Sequence, residues 1–227
     1  NSPKEKPQQG THESLFCARP GLDVWKASAW AESKDYYNPK EVMEAARLML
    51  SVADKYKGNN NFEYDLVDVF RQAIAEKGRL TLKVVSAAYK AEDKALFKQA
   101  SERFLQLILL QDELLGTRQE FRVGNWTDMA RNIGHTPEEK NLYEWNARVQ
   151  ITTWGNHSAS ERGKLHDYAH KEWNGILKDF YYMRWKTYFD GLTRSLKGEM
   201  VPVIDWYALE EPWTKVSDTY SSQPEGD

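Results

Sequence analysis

Between Tyr143 and Trp185 the chain gathers aromatic rings, amides and charged groups at helical spacing around the turn Thr153-Trp154-Gly155-Asn156. This mixture has a direct chemical use, because pyranose rings stack on indole faces while their hydroxyls exchange hydrogen bonds with amides, Arg and Asp. Arg148, Trp154, Asp167, Tyr168, Arg184 and Trp185 are the leading candidates, since a helix-turn-helix over 138–180 brings the turn near the start of the next helix. The same residues also fit an aromatic core closed by Arg-Asp and Arg-aromatic contacts, which accounts well for Arg184-Trp185.

Other chemistries find less support. A glycosidase needs two carboxyl groups across one bond, whereas Asp65 with Asp68 and Glu138 with Glu139 are explained by first-turn charge and solvation. His166 and His170 stand four apart, but Asp167-Tyr168-Ala169 lies where a zinc-protease helix would carry its Glu, so no metal is assigned. Ser and His occur without the Gly-x-Ser-x-Gly elbow, and no Gly-rich phosphate loop is present. Cys17 is the single cysteine, which excludes an internal disulfide.

The elements that must position these residues are helical. Asn38-Pro39 starts a helix with a Val42, Ala45, Ala46, Met49, Leu50 stripe ending at Gly58-Asn59-Asn60. A second helix runs from Phe62 to Tyr89 with Gly78 as a kink point, and Asp93 caps a third that turns apolar nearly all round before Gly116-Thr117. A short helix follows Gly124 as far as Ile133, and Thr136-Pro137-Glu138-Glu139 opens one that ends near Trp154-Gly155. Further helices are expected at 165–180, 181–197 and 203–217. Strand-like alternation is missing, so the fold class is all-α, a multi-helix bundle. Residues 1–37 read as an extended segment lying on the domain, anchored by Phe16, Trp25, Trp30, Tyr36 and Tyr37; 38–220 form the helical domain and 221–227 a polar tail.

At 227 residues one sizeable domain is expected. With 31 Lys and Arg against 34 Asp and Glu, a net charge of −3 gives no field drawing the chain to nucleic acid. No apolar run approaches a membrane span, and the polar opening without a start methionine reads as a mature or truncated product.

The segment Leu142-Tyr143-Glu144-Trp145-Asn146-Ala147-Arg148-Val149-Gln150-Ile151-Thr152-Thr153-Trp154-Gly155, then Asp167-Tyr168-Ala169-His170-Lys171 and Tyr181-Tyr182-Met183-Arg184-Trp185, strongly resembles the C-terminal helical domain of α-N-acetylglucosaminidases, the family 89 glycoside hydrolases. Phe62 to Gln72, Gly124-Asn125-Trp126, Ala130-Arg131 and Ser222-Gln223-Pro224 extend the likeness over roughly residues 11–226. The resemblance implies a retaining exo-enzyme that removes terminal α-linked N-acetylglucosamine without a cofactor, with both catalytic glutamates on a (β/α)8 barrel that this chain lacks. It implies that the helical domain packs on that barrel and helps wall the pocket through Trp154, Gly155, Asp167 and Tyr168, with Arg148, Arg184 and Trp185 supporting. His157 to Lys164 departs from the shorter turn of relatives. It also implies the periplasm or cell exterior in a bacterium and the lysosome in an animal. The alternative is a free-standing helical carbohydrate-binding or protein-interaction module. On the first reading the surface that meets the barrel is an apolar patch.

Overall fold

The computed structural model describes residues 13–24, 37–217 and 219–226. Trp25, Trp30 and Tyr36, expected as anchors of the leading segment, lie outside the described residues. Among those described, seven α-helices follow one another: α1 (Pro39–Ser51), α2 (Asn60–Lys90), α3 (Lys94–Gly116), α4 (Val123–Arg131), α5 (Pro137–Gln150), α6 (Tyr182–Ser195) and α7 (Trp206–Thr214). The all-α class expected from the sequence is what forms. The one extended pairing described is an isolated parallel bridge between Arg122 and Asn174.

Local sequence accounts for most helix starts. Asn38 Oδ1 accepts from the Lys40 amide at 3.1 Å ahead of Pro39, Asn59 Oδ1 from Phe62 at 3.1 Å, and Asp93 Oδ1 from Leu96 at 2.9 Å. At α5 the cap is reciprocal: Glu139 N–H donates to Thr136 Oγ1 at 3.2 Å while Glu139 Oε2 accepts from the Thr136 amide at 3.3 Å. Asp205 Oδ1 takes the Ala208 amide at 3.0 Å and starts α7.

The core lies around α3, held between α2, α6 and the leading segment. Phe104 touches Phe16, Trp185 and Phe189 with ring centroids 5.3, 4.5 and 5.6 Å away, and Phe16, Phe104 and Trp185 are fully buried. The segment at Leu15, Phe16 and Cys17 therefore penetrates the core rather than lying on it. Trp185 Nε1 donates to the Phe16 carbonyl at 3.0 Å, so the buried indole keeps its hydrogen bond.

Two expectations are corrected and a third position finds another use. The first helix stops at Ser51 and a 3₁₀ turn over Ala53–Tyr56 carries the chain on towards Gly58. At Gly78, where a kink was expected, α2 continues as one helix over Asn60–Lys90; a Cβ there would come within 2.5 Å of Phe16 Cζ, so the glycine makes room for that ring. The helix expected over 165–180 forms only from Ile176 onward, as a π-helical stretch over Leu177–Tyr181 leading into α6. Upstream, Asp167 and Gly175 adopt φ of 61° and 89°, incompatible with a continuous helix, and residue 174 is instead drawn to 121–123. There Val123 N–H donates to the Asn174 carbonyl at 3.1 Å and Asn174 N–H to Phe121 at 2.8 Å.

The polar tail is tied down. Arg122 donates to the Ser221 carbonyl at 2.9 Å and to Glu225 at 2.5 Å, and the Glu225 amide reaches the Gly116 carbonyl at 2.9 Å.

Gly78→Ala measures the fit of Phe16. In an open helical position the change would stabilise by about 1 kcal/mol through helix propensity; here we expect a loss of roughly 1–3 kcal/mol from overpacking, read from the urea midpoint.

Candidate functional site

The turn after α5 is built from backbone strain held by hydrogen bonds. Trp154 adopts φ of 61°, as does Asp167, a conformation costing a non-glycine residue roughly 1–2 kcal/mol. Trp154 N–H donates to the Val149 carbonyl at 2.7 Å and Asp167 N–H to Thr152 at 2.9 Å, so both ends of the 154–167 loop fasten to the end of α5. Within the loop, Asn156 Oδ1 accepts from the Ala159 amide at 3.0 Å and a π-helical turn spans Ser158–Arg162. The polar stretch His157 to Lys164 is thus held by its own hydrogen bonds.

The two strained residues bring rings together. Trp154 and Tyr168 meet with centroids 4.7 Å apart at 49°, Trp154 half-buried and Tyr168 exposed. A second ring pair adjoins them: His157 meets Tyr207 edge-on at 5.3 Å, and the Tyr207 hydroxyl stands 3.5 Å from the Gly155 carbonyl and 3.3 Å from Glu211. The result is a shelf of two neighbouring ring pairs beside the Gly155 carbonyl, a mixture of ring and polar groups suited to a sugar ring.

The other sequence candidates lie beneath the shelf. Arg184 is fully buried and donates through both terminal nitrogens to the Asp167 carboxylate, at 2.9 and 3.1 Å, and to the Cys17 carbonyl at 3.0 Å. Its Nε stands 2.9 Å from Glu210 Oε1, a charge contact without a hydrogen-bond angle. Burial by itself lowers the pKa of Arg184, but Asp167 and Glu210 outweigh it and raise the pKa above its ordinary value. The chain of charges continues outward. Arg19 donates to both Glu210 oxygens at 3.0 and 2.9 Å and to both Glu161 oxygens at 2.9 and 2.6 Å. Arg19 also lowers the Glu161 pKa to about 2. Asp167, Arg184, Glu210, Arg19 and Glu161 thus join the loop, α6, α7 and the leading segment in one line.

The remaining supports are internal as well. Arg148 grips Glu144 at 2.9 and 2.7 Å and lies 4.8 Å from the Trp213 ring centroid and 5.0 Å from that of Tyr220. Trp185 belongs to the Phe104 core. Only Trp154, Gly155 and Tyr168 among the sequence-predicted residues stand at the shelf; the Asp167 carboxylate is committed to Arg184. Sequence reasoning missed Tyr207, Arg19, Glu161 and Glu210. Asp205, a cap two residues before Tyr207, is the local signal for the first; Arg19 and Glu210 stand 191 positions apart and have none.

His166 and His170 do not share a helix face, because 166–169 is a turn. Nδ1 of His166 donates to the Ser160 carbonyl at 3.0 Å; His170 donates through Nδ1 to the Asp167 carbonyl and accepts from the Glu13 amide at Nε2, 3.3 Å away. The one ring lone pair of His170, on Nε2, is taken by the Glu13 amide. Cys17 is no nucleophile either, since burial pushes its thiol pKa well up.

Comparison with known proteins follows the same lines. The family model of the alpha-N-acetylglucosaminidase (NAGLU) C-terminal domain matches residues 2–227. The alpha-N-acetylglucosaminidase of Homo sapiens is 30% identical over 226 residues, covering 96% of this chain and 29% of the human protein. A family 89 glycoside hydrolase from Clostridium perfringens, solved in complex with PUGNAc, is similar with a TM-score of 0.94 at 34% identity, over 100% of this chain and 26% of that one. Another structure from Clostridium perfringens, in complex with its substrate GlcNAc-α-1,4-galactose, gives 0.92 at 35% identity, over 97% and 26%.

Two outcomes test the scaffold under the shelf. Arg184→Met leaves Asp167 facing no guanidinium, and we expect a loss of roughly 3–5 kcal/mol by urea titration, as for other broken buried pairs. The second concerns Glu172, whose pKa burial and the neighbouring Glu13 raise from 4.5 to about 7, against Arg71 and a Ser14 hydroxyl bond. The folded state binds that proton more tightly than the unfolded state, so the stabilisation is complete below pH 4.5 and is lost as pH rises towards 7. Wild-type urea midpoints should therefore fall across this window, and Glu172→Gln should flatten the decline.

Proposed function

The chain belongs to the family of α-N-acetylglucosaminidase C-terminal domains, and from that membership we propose that it walls the sugar pocket of an exo-acting α-N-acetylglucosaminidase. It spans about a quarter of the length of the relatives it matches, 26% of the Clostridium perfringens enzyme and 29% of the human one, so the catalytic domain is the larger remainder. On this reading the chain rests on a (β/α)8 barrel that holds both catalytic carboxylates, and the pair of rings at Trp154 and Tyr168 faces the terminal α-linked N-acetylglucosamine. The observation that carries it is the strained, braced presentation of those rings. Two positive-φ residues, three carboxylates and two guanidinium groups hold in place a surface that the domain's own core does not use.

The carboxylates beside the shelf support a role without catalysis. Hydrolysis needs one carboxyl kept protonated as acid and another positioned as nucleophile or base. Asp167 and Glu210 are buried against Arg184 and Arg19, and Glu161 is held ionised by Arg19. The carboxyl raised to about 7, Glu172, is buried under Ser14, on a residue that the shelf does not include. We assign the chain positioning by stacking, worth about 0.5–1.5 kcal/mol per ring beyond its area burial. The compartment on this reading is one where exo-hydrolases meet glycans, the periplasm or cell exterior in a bacterium and the lysosome in an animal.

Trp154→Ala in the full-length enzyme should raise KM for an aryl α-N-acetylglucosaminide about three- to tenfold with kcat within about twofold, the signature of lost uniform binding. An unchanged KM would remove Trp154 from the pocket. The chain alone should show no turnover of that substrate. Tight sugar binding by the chain alone would instead favour a free-standing module.

A further inference from the structure

The connection between α6 and α7 holds the two most exposed large apolar side chains described, Met200 at 91% and Val203 at 98%. Pro202 between them is exposed too. The backbone here is fastened at both ends. Gly198, at φ 80°, closes α6: its amide reaches the Ser195 carbonyl at 2.8 Å, and the Glu199 amide reaches Arg194 at 3.1 Å. Arg194 Nε then donates to Glu199 Oε2 at 2.8 Å. Val201 turns inward, its Cγ1 lying 3.2 Å from where a Cβ on Gly191 would stand, and Asp205 caps α7. An apolar knuckle is thus presented to solvent on a fixed frame, and apolar groups so placed mark interaction surfaces.

We propose that this knuckle, Met200, Pro202 and Val203, docks into an apolar depression on the catalytic domain of the same enzyme and sets the height of the aromatic shelf over the active site. The inference rests on the reading of this chain as a pocket wall. Two observations select the occupant. The relatives carry about three quarters of their length outside the part this chain matches, so a large domain is available to cover the knuckle. The knuckle is also joined to the shelf by a short run of chain, since Val203 lies four residues before Tyr207, whose ring meets His157 and whose hydroxyl stands beside the Gly155 carbonyl. A contact at the knuckle therefore passes through the first turn of α7 to the loop that carries Trp154.

The test places Val203→Cys and, as a reference on an exposed face, Lys98→Cys in separate preparations of the full-length enzyme and follows maleimide labelling of each peptide by mass spectrometry. Lys98 is 76% exposed in its side chain. We expect the cysteine at 203 to label at least tenfold more slowly than the one at 98 in the native monomer, and both to label alike after denaturation. Equal native rates would overturn the proposal. Protection that vanishes on dilution from oligomer to monomer would also overturn it, by making a second copy the occupant. Failure of the pocket-wall reading would be seen separately, as an unchanged KM for Trp154→Ala with protection at 203 intact.

Discussion

The placement of the shelf depends on one buried guanidinium. Arg184 faces Asp167, Glu210 and the Cys17 carbonyl, with Phe180 4.5 Å from its charge centre. Taking such a group out of water is expensive, and the pairing it then makes only offsets that cost. Its value lies in direction. A planar donor with two carboxylates accepts few arrangements of the segments that carry them, so loop, α6, α7 and leading segment are held in register together. The Phe104 cluster supplies the cohesion on which this register is imposed, since ring contacts are tolerant of angle where the guanidinium is not.

Asp112 plays a similar part nearby. It lies in the apolar end of α3, and its carboxylate accepts from the Gly175 amide at 2.6 Å, the Lys178 amide at 3.1 Å and the Asn174 side chain at 2.9 Å. These are the orphan donors at the start of the stretch leading into α6, satisfied from a different helix. Burial raises the pKa of Asp112, with the Gly175 and Lys178 amides pulling the other way. The carboxylate holds the π-helical turn that aims Arg184 inward.

What the amino-acid order discloses and what it hides divide along physical lines. The caps at Asn38, Asp93 and Thr136 are readable because donor and acceptor lie within three residues. The aromatic turn is readable because Trp154-Gly155 and Asp167-Tyr168 are unusual in composition. The 165–175 stretch is not, since nothing local announces that Asp167 and Gly175 leave the helical region or that Asn174 pairs with 121–123. Arg184-Trp185 looks the same in sequence whether it faces a sugar or a core; only the positions of Asp167, Glu210 and Phe16 decide, and each is distant along the chain. The residues that matter most to the shelf are thus partly those with no neighbours to betray them.

The inward course of Leu15, Phe16 and Cys17 has a consequence in time. Their partners are late in the chain: Phe16 waits for Trp185, Cys17 for Arg184, and Arg19 for Glu210. A ribosome releases the first of these long before the last, and closing such distant pairs is slow compared with winding a helix. Until α6 has emerged, Phe16 and Cys17 have no finished place to go, and until α7 has emerged Arg19 lacks Glu210. The order of synthesis therefore leaves the Arg19–Glu210 pair as the last of these ties to close.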